Sequence, residues 1–282
     1  MSLSFKPFKL VAIDLDGTLL SSTRAIAEAN KQALAFCADS GVAVAIITGR
    51  RFPSARPYVA NLPIDPFVVA NSGAIIKTGV NGPLLRRSLL SCDIAEAVFE
   101  IAAEAGIEPV VHDGPHGEGH LMLREAARTL PHVVRYLSQT IPPPIWVPSL
   151  ALERDPVQIG FAAGLTEIRE FAKHLTTKLS ITSVSLIKTE YPKEDLALLD
   201  VLAPDANKSS ALKFLSTHVG VPMSETLAIG DNWNDLDMLE AAGLGVVMAN
   251  AVEELKNKGF AETRSNDEAG VADAIHRYVL QD

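Results

Sequence analysis

Both ends of the chain alternate between short apolar runs and amphipathic stretches with helical spacing. Residues 10–15, 42–47 and 67–70 are apolar runs, with a predicted helix over 23–40 between the first two. Runs that are apolar throughout are typical of strands covered on both faces. Because parallel strands need helical crossovers, this alternation predicts a Rossmann-like parallel sheet with helices on both faces, an α/β fold.

The last 80 or so residues repeat the alternation, and the middle of the chain does not. The predicted elements near the end are helices over 208–219, 233–242 and 268–280, and strands over 226–229 and 244–248. Between them and the first part lie predicted helices at 92–105 and 166–177, strands at 157–162 and 181–187, and loop-like stretches at 112–120 and 141–148. We therefore predict a core of residues 1–81 and 204–282, with an α+β cap domain of residues 82–203 inserted into it.

Composition excludes some classes of function. The formal net charge of −9 argues against a general nucleic-acid binder, but a local cation still allows a phosphorylated substrate. No apolar run is long enough to span a membrane, and the N-terminus lacks a signal-peptide core, so we expect a cytoplasmic protein without a membrane partner. Cys37 and Cys92 have no metal-ligand spacing, and Cys37, which lies in an apolar helical stretch, is expected to be a buried reduced thiol.

Polar residues follow four of the predicted strands directly. The first strand leads into Asp14-Leu15-Asp16-Gly17-Thr18, the second into Thr48-Gly49-Arg50, the third into Asn71-Ser72-Gly73, and the strand at 226–229 into Gly230-Asp231-Asn232-Trp233-Asn234-Asp235. Ligands of open parallel sheets bind beyond the carboxyl ends of the strands. These four groups are therefore expected to converge on one site.

The carboxylates in these groups predict a magnesium site. Asp14 and Asp16 are two residues apart and are expected to point the same way, where they repel each other unless a cation or a cationic partner lies between them. Asp231 or Asp235, arriving from another strand, supplies the further carboxylate. Mg²⁺ prefers one or two carboxylates together with water and phosphate oxygens.

Two further segments indicate a phosphate ligand only in this context. The hydroxyl of Thr48 and the unhindered backbone of Gly49 suit an anion, although Thr48 alone also fits a helix N-cap. Lys208 begins a predicted helix, a place where lysine is most often solvated. A phosphate-binding role for Thr48-Gly49 and for Lys208 is indicated only because carboxylates are expected at the neighbouring strand ends.

The groups at Asp14, Thr48 and Gly230, together with Asn207-Lys208-Ser209-Ser210-Ala211-Leu212, resemble the four motifs of the haloacid dehalogenase-like superfamily, and within it the Cof-like sugar phosphatases. Their order matches along the whole chain. The resemblance implies a substrate-selecting α/β cap between the second and third motifs. It also implies a Mg²⁺-dependent phosphatase that acts on a small phosphorylated metabolite such as a sugar phosphate, as a monomer or homodimer.

The resemblance also implies roles for single residues. Asp14 is the expected nucleophile, and Asp16 the acid that protonates the leaving oxygen and then the base for water. Thr48 and Lys208 hold the phosphoryl group, with Gly49, Arg50, Asn71, Ser72 and Asn234 around it. Asp231 and Asp235 are expected at the metal with the Asp14 carboxylate and the Asp16 backbone carbonyl. Dehalogenases of the superfamily lack the second acid, so Asp16 favours phosphoryl transfer.

The sequence leaves several alternatives open. A phosphomutase or phosphotransferase uses the same aspartyl-phosphate, and a phosphosugar-binding protein could keep the pocket without turnover. Ser209 replaces the usual glycine of the third motif, and either Asn71 or Ser72 faces the substrate. His112, His116, Glu118 and His120 lie in one Gly-rich stretch, where they are metal ligands, substrate contacts or plain loop residues.

Overall fold

The computed structural model describes residues 8–112, 120–138, 140, 142–180 and 182–280. Within these ranges the strands are β1 (Leu10–Asp14), β2 (Ala43–Ile47), β3 (Phe67–Ala70), β4 (Ile75–Thr78), β5 (Leu84–Arg87), β6 (Pro109–His112), β7 (Leu121–Arg124), β8 (Ile145–Val147), β9 (Gln158–Ala163), β10 (Ser185–Tyr191), β11 (Leu196–Leu202), β12 (Thr226–Gly230), β13 (Leu244–Val247) and β14 (Ala261–Glu262). The α-helices are α1 (Glu28–Asp39), α2 (Phe52–Val59), α3 (Cys92–Ala105), α4 (Pro131–Leu137), α5 (Leu165–Lys178), α6 (Lys208–His218), α7 (Leu236–Ala241), α8 (Glu253–Lys256) and α9 (Gly270–Tyr278).

The chain divides into two compact units. The first comprises Met1–Arg50, Ala55–Leu85 and Asn207–Asp282, and the second comprises Arg51–Ser54 and Arg86–Ala206. Each unit has its own sheet and its own apolar core. An inserted α+β domain within an α/β core, predicted from the sequence, is confirmed.

The first unit is built on an eight-stranded sheet of order β14-β13-β12-β1-β2-β3-β4-β5. Pairing is parallel from β14 to β3, and β4 joins β3 in antiparallel register. Helices α6 and α7 pack on the sheet face that carries Leu10 and Ala12, through Leu212, Leu215 and Met238. Because side chains alternate along a strand, Asp14 extends from that same face towards α6.

The second unit contains a six-stranded sheet of order β10-β11-β9-β6-β7-β8. Neighbouring strands are antiparallel from β10 to β7, and β8 adds in parallel. Helices α3 and α5 cover one face over Ile159, Phe161 and Val201. Helix α4 contributes Val133 to a smaller cluster with Leu121.

The predicted helix over 23–40 is wrong in its first turn, since α1 begins only at Glu28. Arg24 has a φ of 61°, a left-handed value that an α-helix does not allow. The backbone N–H of Ser21 instead donates to the carbonyl of Ala25, and Leu20 forms a bridge with Ile26. These contacts fold residues 15–27 into a compact loop after β1.

The cap was predicted least well. The strand expected at 181–187 begins at Ser185, because Ser183 donates its N–H to Ser180 in a turn; residue 181 lies outside the described ranges. Strand β8 lies within the stretch predicted to be a loop at 141–148. The core also contains a 3₁₀ turn, Trp233–Asp235, where α-helix was expected. Among the helices of the described residues, none combines the length and apolar character that a membrane span requires.

Candidate active site

Four neighbouring strands bring the predicted motifs to one edge of the first unit's sheet. Strands β12, β1, β2 and β3 are adjacent and parallel, so their carboxyl ends point the same way. The groups that begin at Asp14, Thr48, Asn71 and Asp231 follow directly from these ends. The convergence expected from the strand pattern is therefore present.

Lys208 joins two carboxylates in the interior of this edge. Its ammonium lies 2.5 Å from Oδ1 of Asp14 and 2.5 Å from Oδ1 of Asp235. The lysine side chain is 1% exposed, and the two carboxylates are 6% and 0% exposed. A buried ammonium is tolerated only when it is paired in this way, so Lys208 is no solvated surface lysine.

The other oxygen of Asp235 holds the main chain of the fourth motif. Oδ2 accepts the backbone N–H groups of Asp231 and Asn232, each at 3.0 Å. Both carboxylate oxygens of Asp235 are thus engaged, one by Lys208 and the other by two amides. Asp235 acts chiefly as the support that fixes Lys208 and Asp231 relative to each other.

The third motif is fixed at the start of α6. Asn207 caps the helix by accepting the N–H of Ser210 at 2.8 Å, and the N–H of Ser209 donates to Asp237 at 3.1 Å. Ser209 has ordinary helical conformation and is buried. Its side chain is accommodated, so the departure from the usual glycine does not disturb the placement of Lys208.

Asp231 is held from the loop after β1. The hydroxyl of Thr18 donates to Oδ1 of Asp231 at 2.8 Å. Gly17 has a φ of +81°, and a Cβ at this position would lie 2.4 Å from Oδ2 of Asp231. Only glycine allows this approach. The side chain of Asn250 donates to the Gly17 carbonyl at 2.8 Å and keeps the loop in place.

The charges in this cluster do not balance. Burial, and then the Asp235 carboxylate, raise the pKa of Asp14 well above its ordinary value, although Lys208 opposes this. The same two causes raise the pKa of Asp231 to about 7, against lowering by Thr18 and Lys208. Burial lowers the pKa of Lys208, but Asp14 and Asp235 together outweigh it and raise that pKa, so the lysine stays charged. Three carboxylates with one ammonium leave an excess of negative charge.

This arrangement fits a divalent cation. Asp14, Asp231 and Asp235 each offer a carboxylate oxygen, and these oxygens lie within 4.8 Å of one another. Carboxylate oxygens are the hard ligands that Mg²⁺ accepts, and its charge would relieve the electrostatic imbalance. Since Asp235 is engaged at both oxygens, Asp14 and Asp231 are the better placed ligands.

Asp16 is not one of the three clustered carboxylates, and it pairs with Arg50. The guanidinium donates from Nε to Oδ2 at 2.6 Å and from Nη2 to Oδ1 at 2.5 Å. The Asp16 side chain is 50% exposed, whereas Asp14 is buried. The sequence required a cation or a cationic partner to relieve the repulsion between the two acids, and Arg50 is such a partner for Asp16.

The second motif and the segment Asn71-Ser72-Gly73 form one hydrogen-bonded unit. Thr48 is buried, and its Oγ1 accepts the backbone N–H of Arg50 at 3.1 Å, so its own proton is left to donate. Asn71 and Ser72 are buried and have φ values of 48° and 54°. Their backbone N–H groups donate to the carbonyls of Arg50 and Thr48, respectively. Oγ of Ser72 lies 3.4 Å from the place of a Cβ on Gly49. Ser72 thus presents its hydroxyl beside Gly49.

Sequence reasoning missed several residues of this site. Thr18 holds Asp231, Asn250 holds the loop at Gly17, and Asp237 holds the start of α6. Tyr58 places its ring 4.8 Å from the Arg50 guanidinium carbon. Thr18 was within the first motif as read, so its hydroxyl was a signal that could have been used. Asn234 is half-buried in the 3₁₀ turn before Asp235, and its predicted role in phosphate binding stays a prediction.

The histidines of the cap do not form a metal group in the part of the chain that the structure describes. His112 is buried, and its Nε2 lies 3.4 Å from the hydroxyl of Tyr136. Burial and the charge of Arg51 hold the pKa of His112 well below its usual range. His120 is exposed. His116 and Glu118 lie outside the described residues.

Asp200 is a further titratable group of the second unit. Gln158 donates to its Oδ1 at 2.5 Å, and burial raises the pKa of Asp200 to about 7. A raised pKa in the folded state means that ionisation costs stability, which is lost as pH rises from about 4 to about 7. We expect Asp200→Asn to be more stable than the wild type at pH 8, by on the order of 1–2 kcal/mol, and to gain little at pH 4.

Urea unfolding followed by Trp146 fluorescence in a Trp233→Phe background measures this in the cap. Asp93→Asn, which removes an exposed carboxylate of the same unit, is the control and should leave the pH dependence unchanged. An Asp200→Asn protein with the same loss of stability between pH 4 and pH 8 as the wild type would contradict the assignment.

Comparison with known proteins agrees with this geometry. The sequence profile described as haloacid dehalogenase-like hydrolase matches residues 11–275, which include all four motifs. The chain belongs to this family. The phosphatase YwpJ of Bacillus subtilis is 30% identical over 285 residues, which cover 94% of this chain and 97% of the relative.

Further phosphatases resemble the chain over nearly its full length. The 5-amino-6-(5-phospho-D-ribitylamino)uracil phosphatase YwtE of Bacillus subtilis is 28% identical and covers 94% of this chain and 96% of the relative. The structure of the phosphatase BT1666 from Bacteroides thetaiotaomicron aligns with a TM-score of 0.82 at 24% identity, over 100% of this chain and 98% of that one. This haloacid dehalogenase-like chain is an enzyme, a phosphatase.

Proposed function

We propose that this haloacid dehalogenase-like phosphatase is Mg²⁺-dependent and hydrolyses a small phosphorylated metabolite through an aspartyl-phosphate on Asp14. The observation that carries the proposal is the buried ammonium of Lys208, which joins Asp14 to Asp235 beside Asp231. Such a cluster brings one ammonium together with three carboxylates that can hold a divalent cation, and the two cations would bind a phosphoryl group. The stability of the fold alone seldom requires a buried cluster of charges of this kind.

The first step is the attack of Asp14 on phosphorus. Lys208 binds Oδ1 of Asp14, which leaves the second oxygen to form the new O–P bond. The bond from phosphorus to the leaving oxygen breaks, and Asp16 gives that oxygen a proton. Nucleophilic attack by a carboxylate divides one difficult displacement into two easier ones.

The second step reverses the role of Asp16. A water molecule attacks the aspartyl-phosphate, gives its proton to Asp16, and releases inorganic phosphate and free Asp14. Oγ1 of Thr48 already accepts the Arg50 N–H, so its hydroxyl proton is available to donate to a phosphoryl oxygen. Lys208 neutralises charge on the transferring group, where electrostatic stabilisation contributes most.

The metal belongs with the carboxylates of the same edge. Asp14, Asp231 and the Asp16 backbone carbonyl would hold Mg²⁺, with Asp235 in support. When bound, Mg²⁺ supplies positive charge that stabilises the phosphoryl oxygens in the transition state. Gly49, Ser72 and Asn234 complete the proposed surroundings of the phosphate, and residues 82–203 select the leaving group.

The substrate class is inferred from the relatives. YwtE is named for a substrate that carries a phosphorylated ribityl group, a small polyol phosphate. A sugar or polyol phosphate is therefore our proposed substrate class for this chain. A panel of hexose, pentose and polyol phosphates, with p-nitrophenyl phosphate as a generic ester, tests it by phosphate release.

Removal of the metal is expected to stop the reaction. Chelation should lower phosphate release about 100-fold or more, and added Mg²⁺ should restore it. Asp231→Asn should raise the Mg²⁺ concentration for half-maximal activity at least about 10-fold, because one charged ligand is lost. Steady-state rates over a Mg²⁺ titration measure both.

Glu240→Gln is the matched control for Asp231→Asn. It removes a carboxylate that is 56% exposed on α7 and should leave the Mg²⁺ dependence unchanged. Activity that persists in chelator, or an Asp231→Asn enzyme with the wild-type Mg²⁺ requirement, would overturn the metal assignment.

A further inference from the structure

The Arg50–Asp16 pair has a geometry that its exposure does not require. The fork of two hydrogen bonds, at 2.6 and 2.5 Å, engages both oxygens of Asp16. The two side chains are 22% and 50% exposed, and pairs this exposed contribute little to stability. A bidentate arginine does, however, fix the plane and direction of a carboxylate.

Arg50 is itself held from several sides. Its N–H donates to Oγ1 of Thr48, and its carbonyl accepts the N–H of Asn71 at 2.8 Å. The guanidinium carbon lies 4.8 Å from the centre of the Tyr58 ring, within the range of a cation–π contact. The fork therefore comes from the same rigid segment that presents the Thr48 hydroxyl.

Asp16 receives its orientation from two sources. Its main chain lies in the loop after β1, where Asp16 bridges to Leu20 and the N–H of Leu19 donates to the Asp14 carbonyl. Its side chain is half exposed, so neighbouring packing does not confine its rotamer. Arg50 supplies the missing restraint, and through it the position of Asp16 becomes coupled to that of Thr48.

We propose that Arg50 is a positioning residue, which orients the carboxyl of Asp16 for proton transfer and does not bind the phosphate itself. The inference rests on the proposed function. In the first step a proton leaves Asp16 for the leaving oxygen as the P–O bond breaks. In the second, water returns a proton to Asp16 as the Asp14–phosphorus bond breaks. Both transfers need the carboxyl in one place, and a misplacement of about 1 Å costs on the order of 100-fold in rate.

The test compares Arg50→Lys and Arg50→Met with the wild type on a hexose 6-phosphate and on p-nitrophenyl phosphate. We expect kcat on the hexose phosphate to fall about 10- to 100-fold, with KM changed less than about 3-fold. Lysine keeps the charge but not the fork, so it should restore little. In Arg50→Lys, kcat on p-nitrophenyl phosphate should fall less than kcat on the hexose phosphate, because the nitrophenolate leaving group needs less protonation.

A double-variant cycle separates positioning from direct contact. In an Asp16→Asn background, Arg50→Met should cost less than about 2-fold on p-nitrophenyl phosphate, because its partner no longer transfers protons. Arg277→Met is the control, since Arg277 pairs with Asp273 at 2.6 Å on α9 of the first unit and belongs to none of the motifs. It should leave kcat and KM unchanged.

Three outcomes would overturn the proposal. They are a rise in KM with kcat intact, full activity in Arg50→Lys, and an equal loss from Arg50→Met with Asp16 or Asn at position 16. None of these touches the proposed function, which depends on Mg²⁺-dependent release by the wild type. Absence of release by the wild type would instead remove the proposed function, and with it the basis of this inference.

Discussion

Asp14→Asn is expected to abolish phosphate release while the protein becomes more stable. The side-chain oxygen of asparagine can still accept a hydrogen bond from the Lys208 ammonium. The amide is a poor nucleophile, however, so kcat should fall by at least about 1000-fold. The pKa of Asp14 is raised by burial and by Asp235, so its ionised form costs folding free energy. Removing that charge should raise the melting temperature in the absence of metal.

The paired measurement makes this result informative. Phosphate release is followed with Mg²⁺, and thermal unfolding is followed with chelator, for the wild type and the variant. Loss of activity with a higher melting temperature identifies Asp14 as a reacting group in an intact fold. Substantial phosphate release by Asp14→Asn would be incompatible with an aspartyl-phosphate on this residue.

Lys208→Met is expected to have the largest effect on stability. The lysine lies between the buried carboxylates of Asp14 and Asp235, and methionine leaves both without their cation. Breaking a buried pair by removing one partner costs about 3–5 kcal/mol, and loss of charge at the phosphoryl group should lower kcat about 100- to 1000-fold. Urea unfolding without metal and steady-state kinetics with Mg²⁺ measure the two effects.

Two further variants show that the buried charges cause the loss. Lys213→Met removes an exposed lysine of the same helix and should change neither quantity. Lys208→Met combined with Asp235→Asn should be more stable than the sum of the two single losses predicts, because one unpaired carboxylate is gone. A Lys208→Met protein as stable as the wild type would show that the ammonium does not compensate these charges.

The alternation of apolar runs and helices was sufficient to predict the core sheet and its inserted cap. Strands β1, β2, β3 and β12 agree with the predicted runs to within one residue at each end. Their pattern is local, and burial on both faces requires apolar residues throughout. Strand β8 has only three residues, and neither β8 nor β10 is buried on both faces, so these two strands were missed or misplaced.

The site, like the fold, was predicted in part. Because parallel strands end at one edge, the sequence predicted that Asp14, Thr48 and Asp231 would meet. It also implied, through family motifs, that Lys208 would join them. It assigned Arg50 to the phosphate, a role that the pairing with Asp16 does not favour.

The sequence by itself determined which side chains follow the strands, since those positions depend on neighbours along the chain. Only the tertiary structure decided the partners: Lys208 contacts Asp14 across 194 residues, and Thr18 contacts Asp231 across 213. Contacts over such separations depend on how α6 packs on the sheet and how the loop after β1 folds. Residues of the same type, such as Asp14 and Asp16, thereby acquire different burial, charge partners and roles.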